Sequence, residues 1–342
     1  MRRLLAVAVW TLAPLSAFAA SVPKSERFPL VWPTSGTAWA EGKPPSQWLQ
    51  HAGSGDPDSG SFGGVRSGGA GFHEGLDIKP TARDRRGEPL DEIRAAMPGV
   101  VRHVSAAAGG SSYGRYVVLE HPAMTPAVYT LYAHLAQIAP GLRAGDAVTA
   151  GQTLGRMGHS SGGYMIPVDR SHLHFEIGLV ATQNFQAWYD RKKMGSRNEH
   201  GMWNGMNLLG LDPLAFYEEW RAGRLATAHD FFARMEPAVR VRVATYRTPD
   251  FVTRYPSLVT KPVVGLVSGW EVLFNWTGLP FAWTPLTATE VAGLAADQPR
   301  IVEVNAPLLK RQRSKSLALT RRGGWVPGKD LERVLEQVFG GR

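Results

Sequence analysis

The stretch Ser171-His172-Leu173-His174-Phe175-Glu176-Ile177 constrains this chain more than any other. Apolar and polar residues alternate along it, which predicts a β-strand. On a strand, residues i and i+2 share a face, so His172 and His174 project together while Leu173 and Phe175 take the opposite side. Core packing gives no reason to set two imidazoles side by side. A metal site does, because neutral imidazole is the commonest nitrogen ligand of zinc.

A second polar cluster lies upstream, in Phe72-His73-Glu74-Gly75-Leu76-Asp77-Ile78. His73 and Asp77 are four residues apart, with Gly75 between them to let the backbone turn. A histidine and a carboxylate both suit zinc, and with a third nitrogen they leave a position for water. Glu74 is a rival ligand, but it adjoins His73 and would point elsewhere. A further histidine, His134, lies in Leu131-Tyr132-Ala133-His134-Leu135, where strand alternation places it on the face of Tyr132. No HExxH sequence occurs, so this is not the arrangement in which two histidines and a base share one helix.

The 342 residues suffice for one large or two ordinary domains, and 38 glycines with 24 prolines favour a turn-rich β architecture. Strand signals cluster at 99–104, 116–120, 128–135, 145–148 and 151–155. The second and third are joined by a proline-containing turn and predict an antiparallel pair. Short strands punctuated by glycine indicate a sandwich or open barrel. Residues 181–210 show no clear period and read as a long excursion. Asp212-Pro213 then opens a helix to about 222, with Asp212 as N-cap and Pro213 in the first turn. From about 239 the chain is strand-like again ("VRVATY", "PVVGLV", "IVEVN"). Its last segment places Leu331, Val334, Leu335 and Val338 on one helical face. Trp270, Trp276 and Trp283 are expected in the core of this region rather than on a sugar-stacking surface.

The absence of cysteine excludes a thiol nucleophile, thiolate zinc sites and disulfides. Arg2 and Arg3, an apolar run at 4–15 and Ala17-Phe18-Ala19 form an export signal. That run is shorter than the ~20 apolar residues of a membrane span. The protein is therefore expected in the periplasm or outside the cell, with no span after signal removal. Losing Arg2 and Arg3 takes the formal charge from +9 to +7. A basic exported chain suits anionic cell-envelope polymers, and export argues against nucleic acid.

Taken in order, "FGGVR", "HEGLD", "YGRYVVLEH", "YTLYAHL", "GDAVTAGQTLGRMG" and "HLHFEI" resemble the lysostaphin-type (LytM-like) zinc peptidases that cut peptidoglycan, over roughly residues 60–180. "LDPLAFY" at 211–217 resembles the usual end of that domain. The resemblance implies one zinc ion per chain, bound by His73, Asp77 and His174, with His134 and His172 as the catalytic histidines beside it. It also implies the duplicated hybrid motif, an antiparallel β fold with an open groove. Two neutral imidazoles and one carboxylate would leave the ion positive enough to bring the pKa of its water to about 7.

The expected organisation is a signal peptide at 1–19, an N-terminal lead-in at 20–59, a zinc peptidase domain at 60–222 and an α+β accessory domain at 236–342. The whole is mainly β with a few helices. The expected function is zinc-dependent hydrolysis of peptidoglycan stem or cross-bridge peptides. The alternative is a non-catalytic activator of other wall hydrolases, against which the retention of every ligand position weighs. The sequence departs from the family pattern at 164–170, an insertion before the His-x-His strand that lengthens one wall of the groove. Arg66 is expected to anchor the loop before His73 or to bind a substrate carboxylate.

Overall fold

The computed structural model describes residues 22–23, 27–321 and 323–340, so the export signal expected at 1–19 lies outside the described residues. The first strands are β1 (Gly63–Arg66), β2 (Gly71–His73), β3 (Leu76–Ile78), β4 (Glu92–Arg94), β5 (Gly99–Ser105), β6 (Tyr116–His121) and β7 (Val128–Ala133). They are followed by β8 (Gln137–Ile138), β9 (Ala147–Val148), β10 (Thr153–Arg156), β11 (Leu173–Val180) and β12 (Leu208–Leu211). Seven of these make one antiparallel sheet in the order β12-β11-β7-β6-β5-β9, with β3 also paired to β11. A smaller sheet, β4-β10-β8, accompanies it, and β1 pairs with β2. The fold is mainly β and antiparallel, as expected, and among the described residues no sheet closes into a barrel.

β11 is the centre of this arrangement. Leu173, Phe175, Ile177 and Leu179 are fully buried on one face and join the main core. The ring of Phe175 lies 5.3 Å from that of Tyr132 and 6.2 Å from that of Tyr217. The opposite face carries His174, Glu176 and Val180 beside Tyr129, Leu131 and Ala133 of β7. Strict alternation thus sends Leu173, Phe175, Ile177 and Leu179 one way and the polar pair His174 and Glu176 the other.

The lead-in packs into the same core. Trp32 and Trp39 stack at 4.8 Å, and Trp48 and Leu49 are buried. Backbone hydrogen bonds from Gln50 to the Asp77 carbonyl and from Lys79 to the Trp48 carbonyl pair this segment with β3. Asp212 caps the helix Pro213–Arg221 by accepting from the amides of Leu214 and Ala215, as the sequence predicts. The excursion at 181–210 is not wholly irregular. It contains a helix, Phe185–Lys192, whose Phe185, Trp188 and Tyr189 form a small separate cluster.

The C-terminal region builds an antiparallel sheet of its own from Val239–Ala244, Gly269–Phe274, Pro280–Leu286 and Arg300–Val304. It ends in a helix, Lys329–Phe339. Trp270 and Trp283 are buried, as expected. Trp276 is half-buried and packs edge-on against Phe62 and Phe72, which ties this region to the β1–β2 hairpin. "PVVGLV" is not a strand: Val263, Val264 and Leu266 are exposed. Short β-branched runs satisfy a propensity, but here no neighbouring strand offers a ladder.

Because Phe175 backs the strand that carries the site histidines, Phe175→Ala is expected to cost about 3–5 kcal/mol. A urea titration should register this as a lower midpoint with an unchanged slope.

Candidate metal centre

Strand pairing assembles the site. In the β3–β11 ladder Asp77 stands directly opposite His174, and in the β11–β7 ladder His174 stands opposite Ala133, the residue before His134. Gly75 lies against the neighbouring strand, where a Cβ would run into the Phe175 carbonyl and the His174 ring. A glycine is therefore required between His73 and Asp77 for the turn to fit.

Three acceptor atoms converge. His73 Nε2 lies 3.0 Å from His174 Nδ1 and 3.1 Å from Asp77 Oδ1, and His174 Nδ1 lies 3.0 Å from Asp77 Oδ1. Each residue is held from behind. His73 donates Nδ1–H to the Ser61 carbonyl at 2.8 Å, and His174 donates Nε2–H to Glu176 at 2.9 Å. Arg66 donates to the other oxygen of Asp77 at 2.8 Å. With these bonds made, the inward atoms carry lone pairs and no protons. Three such atoms repel unless a cation sits among them. Tetrahedral zinc, with bonds near 2.0–2.1 Å, would hold its ligand atoms roughly 3.3 Å apart, close to what is found. The donor set fits a zinc ion.

The same field acts on protons. Burial alone lowers the pKa of His174, but its hydrogen bonds to Asp77 and Glu176 overcome this and raise it to about 10. Asp77 is buried too, which raises its pKa, yet His73, His172 and His174 together hold it well below the ordinary carboxylate range.

His172 and His134 stand beside this cluster. His172 Nε2 is 3.5 Å from Asp77 Oδ1, and the His134 ring is 4.8 Å from that of His172 and 5.9 Å from that of His174. Each donates Nδ1–H to a backbone carbonyl at 2.8 Å, His172 to Arg170 and His134 to Ser160. Both therefore present an unprotonated Nε2. Burial keeps both imidazoles neutral, lowering their pKa values; for His134 the neighbouring His172 and His174 add to the effect.

His134 departs from the strand expectation. β7 ends at Ala133, and His134 adopts φ of 61°, in the left-handed region. Continued strand geometry would have placed it with Tyr132 in the core. The left-handed residue turns its ring to the site face instead. Glu74 is exposed and does not join the cluster. Arg66 does anchor the hairpin, through Asp77 and the Ser59 carbonyl.

Sequence reasoning gave no role to Glu176. Its alternation with His172 and His174 was the available signal, since all three fall on one face of the strand. This buried carboxylate accepts from His174, from Tyr113 OH at 2.6 Å and from Tyr129 OH at 2.8 Å. Those donors replace the water it gave up. Burial and Glu176 raise the pKa values of both tyrosines well above the ordinary phenol, so they remain donors.

A hollow of about 350 Å³ opens onto the cluster, bordered by His51, Arg66, Glu74, Tyr113, Tyr164 and Met165. The segment at 164–170 thus borders the hollow through Tyr164, Met165, Ile166 and Arg170. Met165 is 86% exposed and gives that border an apolar tip.

Residues 71–186 match the model of peptidase family M23. The M23 match, to a family whose members are generally zinc-dependent, covers about a third of the chain, and the lysostaphin-type resemblance holds over this span. Among solved structures, the chain is similar to the catalytic domain of the prophage-encoded M23 protein EnpA from Enterococcus faecalis. That match has 25% identity and a TM-score of 0.27 over 39% of this chain and 82% of the other. The catalytic domain of lysostaphin from Staphylococcus simulans matches at 19% identity and a TM-score of 0.29, over 46% of this chain and 87% of the other. Csd3 of Helicobacter pylori matches at 21% identity and a TM-score of 0.28, over 44% of this chain and 30% of the other. Among curated proteins, none matches the chain in sequence.

Tyr129→Phe removes one donor from the buried Glu176 and is expected to cost about 1–3 kcal/mol. Equilibrium unfolding in urea measures this; an unchanged midpoint would show that the carboxylate does not depend on it.

Proposed function

We propose that this chain is an exported zinc endopeptidase that hydrolyses stem or cross-bridge peptides of peptidoglycan. It would bind one zinc ion through His73 Nε2, Asp77 Oδ1 and His174 Nδ1. The observation that carries this reading is the convergence of three outward-anchored acceptor atoms at the floor of an open groove. The M23 match supports the reaction class. On this reading residues 1–19 are the export signal, 60–222 the peptidase domain and 236–342 an accessory region. The protein works in the periplasm or at the wall, where its basic character suits anionic envelope polymers. Among the described residues no helix is long and apolar enough to cross a membrane.

A zinc ion at this position supplies Lewis acidity, polarising a substrate carbonyl and making water more acidic. The protein's own groups handle the protons. The free Nε2 atoms of His134 and His172 face the site, because their Nδ1–H groups are committed to backbone carbonyls. A neutral imidazole so fixed can take a proton from the attacking water at Nε2 and return it to the departing amine, so the proton count closes over one cycle. The imidazole that has taken that proton is, at its Nε2–H, a donor to the developing oxyanion before the proton passes to the amine. Glu176 fixes the His174 ring through Nε2–H, as the carboxylate partners of metal-binding histidines do.

The test compares two variants on purified peptidoglycan. His174→Ala should lose both zinc and wall-solubilising activity. His134→Ala should retain about one zinc per chain while kcat falls by ~10²–10⁴-fold. Chelation should abolish wild-type activity, and added zinc should restore it. A wild type that binds no zinc and digests no wall, yet stimulates another hydrolase, would identify the chain as a non-catalytic activator.

A further inference from the structure

The C-terminal region reaches the groove. Beyond Glu74, Ser112 and Tyr113, which border the metal-site hollow, lies a second hollow of about 400 Å³ that shares those three residues. The two hollows are thus neighbours across that shared rim. The other walls of the second hollow include His200 and Asn204 from the 181–210 excursion and Arg333 from the C-terminal helix.

The polar groups of this hollow are mostly committed. Tyr113 OH donates to Glu176, and the Asn204 amide is used within its own loop. His200 accepts from His103 and donates to the Gly110 carbonyl. Arg333 differs. One of its nitrogens donates to the Met206 carbonyl at 3.0 Å, and among the described residues no carboxylate comes within ion-pair distance of it. Lys315 lines neither hollow but lies near enough for the Arg333 charge to act on it; its ammonium sits 3.8 Å from the centre of the Phe72 ring and has no ion-pair partner among the described residues.

Both cations are partly buried. Burial is the main influence on each and lowers its pKa; Glu74 and Asp330 act on both from beyond contact, and Lys329 adds positive charge beside Lys315. Asp330 is itself occupied, accepting from the Ser316 amide at 2.7 Å. A half-desolvated guanidinium with unused donors costs free energy unless an anion supplies the missing bonds. The planar fork of arginine matches a carboxylate.

We propose that Arg333, reinforced by Lys315, is a carboxylate-binding subsite of the peptidase groove, selecting peptides that carry a free carboxylate beside the scissile bond. The inference rests on the peptidase reading of the metal centre and gives the C-terminal region a part in substrate choice. Glu74, on the shared rim, repels a carboxylate presented on its own side, so the selected group is one directed toward Arg333.

The test uses the full zinc-loaded chain and stem peptides released from walls, before and after carbodiimide amidation of their carboxylates. Wild type is expected to favour the free-carboxylate form in kcat/KM by about tenfold or more. Arg333→Gln should erase that preference while leaving the amidated peptide unaffected, and Arg333→Lys should keep part of it. No preference in wild type would overturn the subsite. So would an equal loss on both peptides in Arg333→Gln, which is what a purely structural bond to Met206 predicts. If wild type cleaves neither peptide, the peptidase reading fails, and calorimetric binding of the same pair decides the subsite alone. A preference for the free carboxylate that Arg333→Gln removes supports it; equal binding of the two forms contradicts it.

Discussion

The pairing of β3 with β11 is the constraint on which the rest of the site depends. It sets Asp77 opposite His174 and brings His73, four residues upstream of Asp77, onto the same atoms. Because side chains alternate with a period of two, a slip of one residue would turn His174 of β11 into the core and expose Leu173 and Phe175. Burial of Leu173, Phe175, Ile177 and Leu179 therefore fixes the register, and the register fixes the site. The hydrophobic effect and the chemistry are two faces of one strand.

The converging atoms are also held by their surroundings. Ser61, Arg66 and Glu176 each take the outward end of one ligand-like residue, so the inward lone pairs face one another before any cation arrives. Such preorganisation moves the cost of gathering like dipoles into folding, where the large core offsets it. The same device recurs one layer out. Backbone carbonyls of Arg170 and Ser160 fix the tautomers of His172 and His134, leaving both Nε2 atoms available.

Much of this was legible in the sequence because it depends on local periodicity. The alternation in "HLHFEI" predicts a strand with two histidines on one face, and the glycine in "HEGLD" predicts a tight turn between two ligand-type residues. The capped helix after Asp212 and the apolar face of the last helix are equally local. What the sequence hid depends on departures from regularity or on distance along the chain. His134 reaches the site because one residue adopts a left-handed conformation that alternation does not foresee. The helix Phe185–Lys192 buries three aromatics in a cluster of its own, with weak overall periodicity. Arg333 and Lys315 lie far from Glu74 in sequence, and tertiary contacts such as those of Trp276 with Phe62 and Phe72 and of Arg333 with Met206 bring their region to the groove. Glu176 was in plain view; its meaning required seeing that both tyrosines point at it.

The most direct measurement is anomalous diffraction at the zinc edge from crystals grown with zinc. A single strong peak per chain is expected at about 2.0–2.2 Å from His73 Nε2, Asp77 Oδ1 and His174 Nδ1. A peak bound elsewhere, or none between those three atoms at full zinc loading, would contradict the zinc site.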